Sequence, residues 1–78
     1  MFYTYVLISQ KDQKNYIGYT DNLRRRYSEH QKGQVEATKS RRPLILVYYE
    51  ACLSLEKARC REKYFKSGFG RRYLRNRI

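Results

Sequence analysis

The chain has no tryptophan, one proline, one histidine and two cysteines, and only 7 acidic residues oppose its 18 lysines and arginines. Each scarcity excludes something. Cys52 and Cys60 cannot build a disulfide framework. With no Cys or His set at zinc spacing they are not a metal site either. Both read as reduced, partly packed thiols of a cytoplasmic protein. No apolar run approaches the roughly 18 residues of a transmembrane helix. The opening MFYTYVLISQ has neither a basic n-region nor a cleavage site, so it does not read as a signal peptide. A membrane-surface helix would set Trp, Phe or Leu against a basic face, and the lack of Trp argues against one. Repeats, low-complexity tracts and linkers are absent too.

What is present is positive charge. The formal net charge is +11, a balance that favours a polyanionic partner, above all nucleic acid. At 78 residues the chain is one domain, residues 1–78. A domain this small hides only about 60% of its unfolded surface, so its stability is marginal. Unpaired buried charge is then hard to absorb, and a polar residue on an apolar face carries information.

The pattern of residues predicts the order β-β-α-β-α-α. FYTYVLIS, residues 2–9, is aromatic and β-branched and reads as a strand. The polar turn QKDQKN leads to a second short strand, YIGYT, residues 16–20, paired back as a hairpin. Gly18 inside it predicts a bulge or a close backbone approach. A helix follows over residues 23–32, capped by Asp21 or Asn22 and ended by Gly33. QVEATKSRRP is a basic, irregular connector. LILVYYEA, residues 44–51, is apolar on both parities, as in a strand covered on both faces. Ser54 caps a second helix over 55–66. Gly68 and Gly70 bracket a turn before a short terminal helix in RRYLRNRI. The fold class is α/β in the α+β sense: a small three-stranded sheet flanked by helices.

The pattern breaks in three places. On the first helix the positions that should face the core are Leu23, Arg26, Tyr27 and His30. Arg26 and His30 are four apart and lie over one another. On the second helix the apolar line Leu55, Ala58, Phe65 is interrupted by Glu62. An ionised Glu is rarely buried unless paired or bound to a metal. The third break is nine tyrosines, with Tyr3, Tyr5, Tyr16 and Tyr19 in the hairpin. Most read as hydrophobic bulk with a polar tip. Some could stack on bases, and one beside cations could become a general base as nearby charge lowers its pKa.

These breaks share a chemistry. A carboxylate holds Mg²⁺, and the metal stabilises the leaving oxygen of a phosphodiester. An arginine clamps the phosphate. A tyrosine or histidine positions or deprotonates the attacking water. Tyr, Arg, His and Glu on a +11 scaffold suit metal-assisted cleavage of nucleic acid.

The ordered set Tyr5, Tyr16, Arg26, His30 and Glu62 resembles the GIY-YIG nucleases, in particular their small stand-alone bacterial branch and the N-terminal domain of the excinuclease C subunit. The second half of the signature is intact as Tyr16-Ile17-Gly18. In the first half Tyr3-Thr4-Tyr5 stands where Gly-Ile-Tyr would be. EKARCREKYFKSG, residues 56–68, looks like the helix that delivers the metal-binding glutamate, placed at Glu62 with Glu56 as competitor. The resemblance implies an antiparallel three-stranded sheet. It also implies a Mg²⁺-dependent endonuclease, with Mn²⁺ able to substitute, cutting DNA in a structure-specific way linked to repair or recombination. Glu62 would ligate the metal and Tyr5 would be the leading candidate for general base. Tyr16 would orient water or phosphate, Arg26 would stabilise the transition state, and His30 would bond within the cluster. Arg24, Arg25, Lys39, Arg41, Arg42 and Lys66 are expected to bind the nucleic acid. The alternatives are a non-catalytic nucleic-acid-binding module, or a subunit whose protein partner supplies specificity.

Overall fold

The computed structural model describes residues 1–78. Strand β1 (Phe2–Ser9) and strand β2 (Asn15–Thr20) form the hairpin, followed by helix α1 (Leu23–Gln31). A 3₁₀ turn at Lys39–Arg41 precedes strand β3 (Leu44–Cys52), helix α2 (Leu55–Phe65) and helix α3 (Gly68–Arg75). The predicted element order holds. The sheet is antiparallel with the order β2-β1-β3. No helix is long and apolar enough to cross a membrane.

The helices end where local chemistry says they should. Asn22 accepts the Arg25 N–H at 3.0 Å and caps α1. Gly33 follows with φ +76°, the left-handed position that glycine fills without strain. Ser54 accepts the Lys57 N–H and caps α2. Lys32 and Lys66, predicted as the last helical residues, are instead C-caps.

Strand β1, flanked by β2 and β3, is buried continuously from Thr4 to Leu7. Its alternating side chains divide the core into two layers. Tyr5 and Leu7 pack with Leu44, Tyr16, Leu23 and Tyr27 on the α1 face. Val6 packs with Phe65 and Leu74, and with Tyr48, Tyr64 and Tyr73, on the face covered by α2 and α3. There Arg61 lies over the Phe65 ring at 4.7 Å and bonds Glu50 through two nitrogens at 2.6 and 3.1 Å.

Two expectations change. Strand β3 is an edge strand, not one covered on both faces: Ile45 and Tyr49 are exposed. Its double-parity apolar run serves two half-covered faces, because β1 occupies the centre. Gly68 and Gly70 do not bracket a turn; they form the first turn of α3, which Ser67 caps by accepting the Gly70 N–H at 3.2 Å. A Cβ on Gly70 would sit 1.9 Å from the Tyr64 carbonyl oxygen. Only glycine lets α3 fold back this closely on the end of α2.

The two glycines therefore respond differently to alanine. Gly70→Ala lowers stability by about 3 kcal/mol or more, since the obstacle is backbone. Gly68→Ala, with nothing within 4 Å of its Cβ position, is neutral or stabilising by up to about 1 kcal/mol. Urea unfolding of the two variants measures the difference. Equal losses would refute the close-approach account.

Candidate functional site

The hairpin register sets Tyr5 opposite Gly18. A Cβ on Gly18 would meet the Tyr5 hydroxyl oxygen at 2.6 Å and Cζ at 2.7 Å. The expected close approach at Gly18 is thus a side chain lying across it. The Tyr5 ring fills the space, so its hydroxyl is fixed beneath α1. Helix α1 brings Arg26 and His30 down on this hydroxyl, one turn apart.

His30 is fully buried and is the only buried residue of α1. Its Nε2 lies 2.9 Å from the Tyr5 oxygen and its Nδ1 lies 2.7 Å from Thr38 Oγ1. Arg26 can only donate, and it stands beside the Tyr5 oxygen. We assign the Tyr5 hydroxyl as donor to Nε2, which leaves Nδ1–H to donate to Thr38. The Tyr16 ring meets the His30 ring edge-on with centroids 5.2 Å apart. Arg26 in turn donates to Glu29 at 3.0 Å.

The electrostatics run against one expectation. Burial pushes the Tyr5 phenol up to about 12, more than the Arg26 guanidinium pulls it down. A tyrosine beside a cation was expected to become more acidic, but desolvation of the phenolate wins here. Tyr5 is a protonated donor at neutral pH. Burial, and then the Arg26 charge, hold His30 down at about 4, so its imidazole is neutral. On this face of α1 His30 is packed against Tyr5, while the Arg26 side chain keeps 37% exposure.

The structure brings Tyr5, Tyr16, Arg26 and His30 together. No hydrogen bond or ion pair joins Glu62 to this cluster. Glu62 belongs to the α2 layer, its side chain is 19% exposed, and its carboxylate accepts from Lys66 at 2.8 Å. Glu56, its competitor, is 79% exposed and 4.0 Å from Arg59. Glu62 is thus a half-buried carboxylate at an interruption of the apolar line, paired with Lys66. The two layers meet around the free edge of β2. A hollow of about 400 Å³ there is lined by Tyr16 from one face, by Lys66 and Arg71 from the other, and by Arg41 of the connector.

No three His, Cys, Asp or Glu side chains cluster anywhere. The donors therefore do not fit a metal held wholly by protein. They do fit Mg²⁺, which binds through one carboxylate and completes its shell with water and substrate phosphate. Glu62 is the carboxylate whose semi-buried position beside this hollow's Lys66 suits that mode.

Most cations expected to bind nucleic acid are already engaged. Arg25 pairs with Asp21 and Glu29, Lys39 with Glu36, and Arg41 with Asp12. Arg42 donates to the Lys39 carbonyl at 2.9 Å, and Lys66 holds Glu62. Arg24 and Arg42 form no ion pair, and of the six only Arg24 lacks a side-chain hydrogen bond as well. It lines a separate hollow of about 620 Å³ with Tyr3, Tyr27 and Tyr49. Sequence reasoning missed Glu29, Thr38 and Arg71. Glu29 was recoverable from its spacing to Arg26. Thr38 gave no signal in an irregular connector, and Arg71 gave none beyond its charge. Of the thiols, Cys52 is half-buried and Cys60 is exposed, so only the first is packed.

Comparison with known proteins follows the same lines. The family model described as the GIY-YIG catalytic domain matches residues 1–76. A UPF0213 protein of Staphylococcus haemolyticus is 39% identical over 66 residues, covering 83% of this chain and 79% of its own. A UPF0213 protein of Pediococcus acidilactici is 38% identical, covering 96% and 82% respectively. The solution structure of a UPF0213 protein from Bacillus halodurans superposes with a TM-score of 0.58 at 34% identity, over 97% of this chain and 84% of that one.

The neutral, buried His30 makes stability depend on pH. In the unfolded chain the imidazole protonates near 6.5, and in the fold only near 4. Between these values the unfolded state binds the extra proton. Stability is therefore complete above about pH 6.5 and falls as pH drops to about 4, by on the order of 3 kcal/mol. His30→Gln is less stable at pH 7, and its deficit narrows by a similar amount at pH 4. Urea melts at pH 7, 5 and 4 measure this. A deficit that stays constant across the range would contradict a neutral buried imidazole.

Proposed function

The chain belongs to the GIY-YIG family of catalytic domains, whose fold is that of a nuclease, and on that premise we propose that it is a Mg²⁺-dependent endonuclease of DNA. The observation that carries this reading is the convergence of Tyr5, Tyr16, Arg26 and His30 at one side of β2, with Glu62 half-buried in the layer on its other side. The +11 charge supports a nucleic-acid substrate.

The roles follow from exposure and charge. Tyr16, half-buried and lining the edge hollow, orients the water or the scissile phosphate. The Arg26 side chain, 37% exposed, faces the charge that develops on that phosphate. Tyr5 and His30 stay protonated and neutral respectively, and hold Arg26 and Tyr16 in place by hydrogen bond and ring contact. In this reading Tyr5 acts as a positioning donor, since burial keeps its phenol protonated. Glu62 holds the metal, and Lys66 balances its charge beforehand. When bound, the metal supplies positive charge to the leaving oxygen.

A second reading is favoured by one observation: the Glu62 carboxylate is already occupied by Lys66. The chain would then be a nucleic-acid-binding module without catalysis, or a subunit that relies on a partner for specificity.

Cleavage of branched, flapped and damaged DNA separates the readings. With Mg²⁺ the wild type nicks such DNA. Glu62→Ala abolishes cleavage, and Arg26→Gln lowers kcat about 100-fold or more. Mn²⁺ restores activity to the metal-free enzyme. If wild type and Glu62→Ala give the same trace activity on every substrate, the nuclease reading fails. Binding that ignores both Mg²⁺ and Glu62→Ala would then favour the module.

A further inference from the structure

The edge hollow beside Tyr16 does not end there. A second depression of about 300 Å³ lies next to it, and the two share Asn15 and Arg71 as lining residues. The second adds Arg75 and Leu74 of α3. Together they make one groove that starts at Tyr16 and Lys66 and runs along α3. No acidic side chain lines either part.

Arg71 and Arg75 differ from the cations of the first hollow. Arg41 and Lys66 are held by Asp12 and Glu62. Arg71 and Arg75 are exposed and form neither an ion pair nor a side-chain hydrogen bond; the ion pairs of the whole chain use other cations. They are four apart on α3, so they project from one face. Leu74 between them is buried and anchors that face to the core. Their position is fixed by a rigid contact, since Gly70 seats α3 against the Tyr64 carbonyl.

Two free guanidiniums in a row, on a fixed helix, in a groove without carboxylates, match the backbone of a nucleic-acid strand. Guanidinium forks bind phosphate oxygens directly. Such contacts set the register of a strand without reading its sequence. We propose that Arg71 and Arg75 clamp successive backbone phosphates on one side of the scissile phosphate, so that the strand enters the site along α3. This deepens the nuclease reading and rests on it for the position of the scissile phosphate. It assigns binding to two residues of the C-terminal helix, where the expected set was the α1 arginines, the connector and Lys66.

Binding and cleavage are tested separately, so that the two proposals fail separately. Binding is measured on Glu62→Ala protein without Mg²⁺, using a fluorescently labelled DNA duplex bearing a single-stranded flap, over a series of salt concentrations. Arg71→Gln with Arg75→Gln removes two phosphate contacts. The slope of log K against log salt then becomes shallower by about 1.8, at about 0.9 per contact. A charge-matched control, Lys32→Gln with Lys57→Gln, leaves the slope within about half a contact of the parent. Arg71→Lys with Arg75→Lys keeps the charge and most of the slope. Circular dichroism checks that each variant is folded; where the double Gln variant is not, Arg71→Gln and Arg75→Gln singly each make the slope shallower by about 0.9, and single variants that keep the parent slope overturn the groove. If the Gln variant keeps the parent slope, or the control loses as much, the groove is overturned even where the wild type cleaves DNA. If the slope shifts as stated while the wild type never cleaves, the groove stands as a binding track and the nuclease reading falls.

Discussion

The hydrogen bond between the Tyr5 hydroxyl and His30 Nε2 holds α1 to the sheet at the only place where that helix is fully buried. A helix would ordinarily dock through an apolar stripe. Here the deepest side chain is an imidazole, and both of its nitrogens must find partners inside the protein. Tyr5 and Thr38 provide them, and no buried side-chain polar atom in the chain is left unpaired. An unpaired nitrogen in that position would cost about 1–3 kcal/mol, a large share of what a domain of this size has in reserve. The connector between α1 and β3 is therefore constrained as well, because Thr38 has to arrive beneath His30.

The same bond fixes the electrical state of the site. Packing Tyr5 and His30 away from water keeps one protonated and the other uncharged. Arg26 is left as the charged group of the cluster, with Glu29 moderating it. Placing a single charge among neutral, fixed partners suits recognition of an anion, since little has to reorganise when the anion arrives. Glu62 sits across the sheet, so the two halves of the site are carried by different layers. Both layers rest on β1, whose alternating side chains face them in turn. That makes the hairpin, rather than either helix, the element on which their relative position depends.

Much of this was legible in the sequence, where the cause was local. The caps at Asn22 and Ser54 and the C′ position of Gly33 follow from neighbours within a few residues, and the close approach at Gly18 from the partner strand of the same hairpin. The polar interruptions at His30 and Glu62 marked real departures from ordinary burial. What was not legible depended on distant parts of the chain. Local pattern could not say that β1 would take the centre and leave β3 at an edge. The two glycines of α3 read as a turn because helix propensity disfavours them, yet contact with Tyr64 demands one of them. The Tyr5 ionisation was misjudged for a related reason: a neighbouring arginine is visible in sequence, whereas desolvation by strands and helices from elsewhere is not.

Gly18 has a meaning beyond the room it makes. Its missing side chain and the ring of Tyr5 are two halves of one shape, contributed by opposite strands of the hairpin. The two positions are therefore epistatic: the effect of a side chain at one depends on what occupies the other. A methyl group at Gly18 that is damaging beneath a tyrosine would be tolerated beneath a smaller residue, but that smaller residue would abandon His30. The hairpin can drift in sequence at its outward positions, while this pair can only be kept together or lost together.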